Sequence, residues 1–306
     1  MQGFELQLKP LMEQMFSAQT DNERFNANEK FMSVMEDALE GQKSFSYPFD
    51  SLDKIKILTS KDKVFRIFTW AIVNQNGEYD NFGFVQSKNR TSGDYEVYRL
   101  FDKSDEIAMP EYEKLNDSTW FGAVYYELIT TKNQDNTYYT LLGWDGNNIY
   151  TKRKLIEPIT FAKNSGRPIF GQNVFYKDKN RRRYIFEYSP KAYFNLQWGN
   201  QFFTESNTRR KVKSTLFRKA KPFEVEAPKM DKKQMIFFDV LEPAVDNMEG
   251  LKQNYVPSGE VDGFYFDNGR WKQIKDIVPR NKSNNKDKYI QEKEHNSTLF
   301  PSKEKK

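Results

Sequence analysis

Short runs of aromatic and β-branched residues, separated by turn-forming pairs, recur along residues 60–276. This spacing constrains the fold more than any other feature of the chain. Aromatic and β-branched side chains suit a pleated surface, and Gly, Asn and Asp supply the backbone conformations that reverse a chain. The runs fall at 63–73, 81–86, 95–101, 121–131, 138–144, 168–175, 182–188, 192–198 and 234–241, and in the hairpin 263–274. In the first run Phe65, Ile67, Thr69 and Ala71 share one side, while Phe68, Trp70 and Ile72 share the other. A strand apolar on both sides is expected to be covered on both faces. Turns are expected at Asn76-Gly77, at 133–136, at Asp145-Gly146-Asn147-Asn148 and at Asn268-Gly269. The last is the clearest hairpin signal, because both central residues of its favoured turn need positive φ. Residues 152–161 are ambiguous, since Pro158 argues against a long helix and against a central strand. About ten short antiparallel strands predict a mainly β fold, sandwich or barrel-like, and not alternating βαβ units.

The N-terminus has a different period. Phe4, Leu8, Leu11, Met12 and Met15 fall on one helical face, and Phe31, Met35 and Leu39 continue a stripe further on. Thr20 and Glu23 have capping-box spacing and Gly41 is a plausible stop, so residues 1–45 read as a helical hairpin. It is expected to pack on a β domain spanning 46–280. The methionines also suit a partner-binding helix pair. From Asn281 the chain is rich in Lys, Asn and Glu, and the tail 281–306 is expected to be disordered.

Composition narrows the chemistry. Aromatics are 16% of residues, enough to build a core although only 37% of the chain is hydrophobic. The chain has no cysteine, which removes disulfides, thiolate catalysis and cysteine-bound metals. Its one histidine, His295, lies in the polar tail, so neither a Ser-His-Asp triad nor a histidine metal site is expected. No cofactor, metal or catalytic residue is expected. No phosphate-cradling glycine motif occurs. There is no apolar run long enough to span a membrane as a helix, and residues 1–10 do not read as a signal peptide. Either a cytoplasmic chain or a mature exported form fits this start.

Three sets of residues are candidates for function. Trp144, Asp145, Asn147 and Asn148 on one tight turn form a candidate ligand site: a ring face would cover a sugar and the polar groups would reach its hydroxyls. The same oxygens lack the further acids of a calcium loop. The alternative is a structural turn with a packing Trp. Glu127, Asp145 and Glu187 are the candidate carboxylates for a glycan hydrolase, which needs two facing acids. The basic clusters at 177–183 and 209–213, the second continued by Arg218, Lys219 and Lys221, could meet phosphates. They read equally as solvated turns and a charged edge. With a net charge of only +5 and no nucleic-acid module, nucleic acid is an unlikely partner.

The stretches 58–70, 82–86, 120–126, 139–148, 182–189 and 238–243 together resemble an uncharacterised group of exported bacterial proteins. The resemblance covers most of residues 50–280 and brings no functional residues with it. It implies a periplasmic or secreted setting. The combined expectation is a non-enzymatic exported binding or structural protein whose ligand is a glycan or a protein. The alternatives are a carboxylate-dependent glycan hydrolase and a nucleic-acid binder.

Overall fold

A computed structural model describes residues 1–41, 43–204, 230–275 and 277. Helices α1 (Gln2–Ser17) and α2 (Asp21–Glu40) form the expected hairpin. The Thr20 hydroxyl accepts from the Glu23 N–H and the Glu23 carboxylate accepts from the Thr20 N–H, so two of the orphan donors that start α2 are satisfied. Most of the predicted stripe is buried: Leu8, Met12, Met15, Phe31, Met35 and Leu39 are core residues, with Phe4 and Leu11 half-buried against them.

The strands among the described residues form three antiparallel sheets. The first runs in chain order through β1 (Lys56–Thr59), β2 (Phe65–Val73), β3 (Tyr79–Lys88) and β4 (Tyr95–Phe101). The second holds β5 (Leu115–Asn116), β6 (Val124–Asn133), β7 (Asn136–Asp145), β8 (Lys152–Phe161), β9 (Pro168–Phe170) and β10 (Tyr184–Tyr188). Its order is β5-β9-β8-β7-β6, with β10 beside the first half of β8. The third is β11 (Leu196–Thr204), β12 (Met230–Pro243), β13 (Tyr255–Asp267) and β14 (Arg270–Ile274). Among the described residues each sheet is an open path, so the architecture there is a stack of layers and not a closed barrel.

Strand alternation explains the stacking. On β2, Phe68, Trp70 and Ile72 face the helices, and Trp70 meets Phe31 edge-on at 5.2 Å. Phe65 and Ile67 face the second sheet, against Tyr125, Tyr139 and Leu155. The other face of the second sheet supplies Leu142 and Ile156 to a core shared with Phe238, Phe264 and Trp271 of the third. Helices, sheet, sheet and sheet therefore follow one another, joined by three apolar interfaces. Arg66 sits on the helix-facing side of β2, 3% exposed. Its guanidinium donates to the carbonyls of Ser44, Phe45 and Tyr47 and lies 4.8 Å from the Phe68 ring centre. No carboxylate pairs with it among the described residues, and burial pulls its pKa down to about 10. It ties the exit from the helical hairpin to the first sheet. Among the described residues no helix is long and apolar enough to cross a membrane.

Two readings of the sequence change. Residues 152–161 form β8, a central strand despite Pro158. Pro158 pairs with Thr140 of β7, and its carbonyl accepts from the Gly171 N–H on the opposite side. A strand residue turns its N and C=O the same way, so the proline nitrogen faces that opposite side too. There β10 pairing stops at Ile156 and β9 pairing begins at Ile159, so the missing N–H falls in the gap between two partners. The run 168–175 is also shorter than expected. It leaves the sheet after Phe170 because Gly171 adopts φ +86°. The tail from Asn281, His295 and the basic cluster 209–221 lie outside the described residues.

The tip of the last hairpin is built as the sequence predicts, with Asn268 at φ 49° and Gly269 at φ 77°. A Cβ on Gly269 would also lie 3.0 Å from the Tyr138 hydroxyl. Gly269→Val is expected to cost about 1–3 kcal/mol, because a β-branched residue resists positive φ. A thermal melt reads this directly, and an unshifted midpoint would contradict it.

Candidate functional site

The end of β7 divides the residues that the sequence groups together. Successive strand residues point to opposite faces. Asp145 therefore faces the first sheet, where it meets Asn81 of β3, and Trp144 turns toward the third, into a cleft with Leu196 and Trp198 of β11. The turn that follows is held by its own polar groups. Asp145 accepts from the Asn147 N–H at 2.9 Å, and Asn147 sits at φ 49°. The Asn147 amide donates to Thr151 Oγ1, and Asn148 Oδ1 accepts from the N–H groups of Tyr150 and Thr151. Gly146 allows close approach, since a Cβ there would fall 2.4 Å from the Tyr79 ring.

Asp145 is 2% exposed. It accepts from Asn81 Nδ2 at 3.2 Å and pairs with Arg153 at 3.4 Å. Arg153 continues to Glu187 at 3.7 Å, and Glu187 accepts from Thr151 Oγ1 at 2.6 Å, which closes a ring of polar contacts back to the turn. Burial pushes the Asp145 pKa up to about 6, only partly offset by the Asn147 N–H, Arg153 and Asn81. Of the candidate carboxylates, Asp145 and Glu187 belong to this ring, whereas Glu127 opens on the Trp144 cleft. The three do not face one shared space.

Asp145, Asn147 and Asn148 line one end of a long groove. An acidic cleft of about 460 Å³ lies between β3, the end of β4 and the β7 turn. It shares Ser104, Asp105 and Arg153 with a wider cleft of about 820 Å³. The wider cleft is floored by Phe121, Ile185, Phe186 and Phe238 and walled by the segment 107–112.

The Trp144 cleft, of about 470 Å³, is separate and shares no lining residue with the groove. Trp144 and Trp198, both half-buried, line it with Tyr126, Glu127 and Lys154. Trp144 is set by an edge-on contact to Tyr79 at 5.4 Å, and its indole N–H faces the Tyr188 hydroxyl. Lys154 lies directly across from Trp144 on β8. Neighbours such as Tyr126 and Glu127 reach the same cleft because a β-bulge interrupts the β6–β7 register between Tyr125 and Glu127. The Lys154 ammonium donates to the Phe194 carbonyl at 2.7 Å and stands 5.8 Å from the Tyr126 ring and 5.9 Å from that of Tyr193, which is 80% exposed. Burial lowers the Lys154 pKa, and Asp239 only partly offsets it from a distance. Among the described residues no carboxylate pairs with Lys154, and Glu127 has neither a hydrogen bond nor an ion pair. Sequence reasoning singled out Trp144 and Glu127 and missed Tyr126, Lys154 and Trp198. No local signal marks the bulge, and Trp198 arrives from another sheet.

In the described basic cluster Lys177 and Lys179 are exposed, while two arginines are committed within the fold. Arg181 pairs with Glu111 and Asp178, and Arg183 is fully buried against Glu157. Neither side chain is the solvated turn residue that one reading of the sequence expected. Compared with protein-family models, with curated proteins and with solved structures, the chain matches none.

Proposed function

We propose that this chain is a glycan-binding protein whose sugar site is the Trp144 cleft. One observation carries the reading: a carboxylate without a partner and an ammonium satisfied only by a carbonyl stand together between two half-buried tryptophans. Groups held in a cleft usually have partners in the protein, so polar groups left without them suit a ligand. An anionic ligand would meet Glu127 and a cationic one would meet Lys154. A neutral polyol satisfies both, donating hydroxyls to Glu127 and accepting from Lys154. The indole and phenol rings would cover the apolar faces of the sugar. Binding is favoured over hydrolysis because Asp145 and Glu187 are bound into the Arg153 ring, away from Glu127.

The reading is tested by a glycan array followed by calorimetry on the best hit. Trp144→Ala is expected to abolish binding while costing about 1–2 kcal/mol of stability, as a half-buried aromatic does. Glu127→Gln and Lys154→Met should each weaken binding without altering the melt greatly. Absence of any glycan hit, or full binding by Trp144→Ala, would overturn the assignment. The resemblance supports a periplasmic or secreted setting for such a protein, and finding the native protein in the cytoplasmic fraction of its host would refute that part.

A further inference from the structure

The long groove, which runs from the β7 turn past β10 to β12 and β13 of the third sheet, is a different kind of surface. Ten of its lining side chains are carboxylates and four are basic, in a chain whose net charge is +5. Its basic groups are largely spent: Arg99 pairs with Glu29, Lys103 with Glu106, and Arg153 with Asp145 and Glu187. Asp80 and Asp105 are exposed in the acidic end and have no hydrogen bond or ion pair among the described residues. Partial burial, followed by the charges of Asp102, Glu78, Asp105 and Asp21, raises the Asp80 pKa.

The wider end adds an apolar floor and a strand edge. Among the described residues β10 pairs with β8 alone. Ile185 turns its N–H away from β8, where the Glu111 carboxylate accepts it at 3.3 Å. By the two-residue period of a strand, Glu187 turns its N–H and C=O the same way, toward the cleft that both residues line. The open edge is therefore the short stretch at Glu187, bounded by the Glu111 bonds to Arg183 and Ile185 and by the Ser189 N–H, which donates to the Tyr255 carbonyl. A sugar has no reason to prefer that edge, whereas an extended peptide pairs with it through its own backbone. Charge complementarity then selects the side chains of the incoming segment.

We propose that this groove docks an extended segment of a partner protein in which basic side chains alternate with apolar ones. The basic groups enter the acidic end beside Asp80 and Asp105, the apolar ones face Phe186 and Phe238, and the backbone pairs with β10 at Glu187. This second site is independent of the glycan cleft.

The probe is a short fluorescein-labelled peptide of alternating Lys and Val, followed by fluorescence anisotropy against the full chain. Binding is expected, weakened by added salt. It should be weakened about tenfold or more by Asp80→Lys combined with Asp105→Lys, two exposed substitutions that leave the melt unchanged. N-methylation of the peptide backbone should weaken it as well, because the edge pairing is lost. A Glu-Val peptide should not bind, and Trp144→Ala should bind the Lys-Val peptide like the parent chain. The proposal is overturned if the Lys-Val peptide does not bind, if the Glu-Val peptide binds equally, or if the lysine variants bind unchanged. A glycan whose binding is lost in the lysine variants and kept in Trp144→Ala would assign the groove to sugar and overturn it too.

Discussion

Glu157→Leu is expected to destabilise the chain by about 3–5 kcal/mol, the range for stripping one partner from a buried ion pair. Glu157 and Arg183 are both 0% exposed, with Nε and Oε2 2.6 Å apart. Burial raises the Glu157 pKa, and Arg183 pulls it back only in part. Without Glu157 the guanidinium keeps its bonds to the Pro110 and Glu113 carbonyls but has no counter-charge. It would stay buried at high cost or drag residues 110–113 from their place. The wall of the groove would then loosen with the fold. Adding Arg183→Met to Glu157→Leu should restore part of the stability, because no lone charge remains. Urea denaturation of the three chains measures both effects. A loss below ~1 kcal/mol in Glu157→Leu, or a double variant no more stable than Glu157→Leu, would contradict this account.

The second large effect depends on pH. Asp145 titrates at about 6 in the fold against an ordinary value of 3.8, chiefly because it is buried. A raised carboxyl pKa means that the folded state holds a proton which the unfolded chain gives up. The Asp145 contribution is therefore full below about pH 4 and is lost as pH rises through 6. At roughly 1.4 kcal/mol per pKa unit, it amounts to about 3 kcal/mol between those limits. Asp145→Asn removes the titration while keeping an oxygen for the Asn147 N–H. The stability of the parent chain minus that of the variant should fall across pH 4–7. A difference that stays flat over this range would show that Asp145 does not carry the shift. Other acids contribute to both chains equally and drop out of the comparison.

The elements that the sequence specifies are those written in near neighbours. Alternation along 63–73 set both faces of β2, Thr20 and Glu23 capped α2, and Asn268-Gly269 made the hairpin tip. Each depends on residues a few positions apart, so period and turn chemistry were sufficient. Pro158 misled for the same reason. Its local penalty was legible, whereas the gap between β9 and β10 that absorbs it is made by segments far along the chain. The candidate site divided in the same way. Trp144 and Asp145 were visible as an aromatic and an acid on one turn, and strand alternation, a local rule, already implied that they point apart. What completes each side is not local. Tertiary structure alone brought Lys154 across from Trp144, carried Trp198 in from the third sheet and placed Tyr126 and Glu127 together on a bulge. Whether a charged side chain is paired inside the fold or left without a partner depends on which distant residues reach it. That is why Arg183 reads as a surface cation in the sequence and is a buried ion-pair partner in the fold.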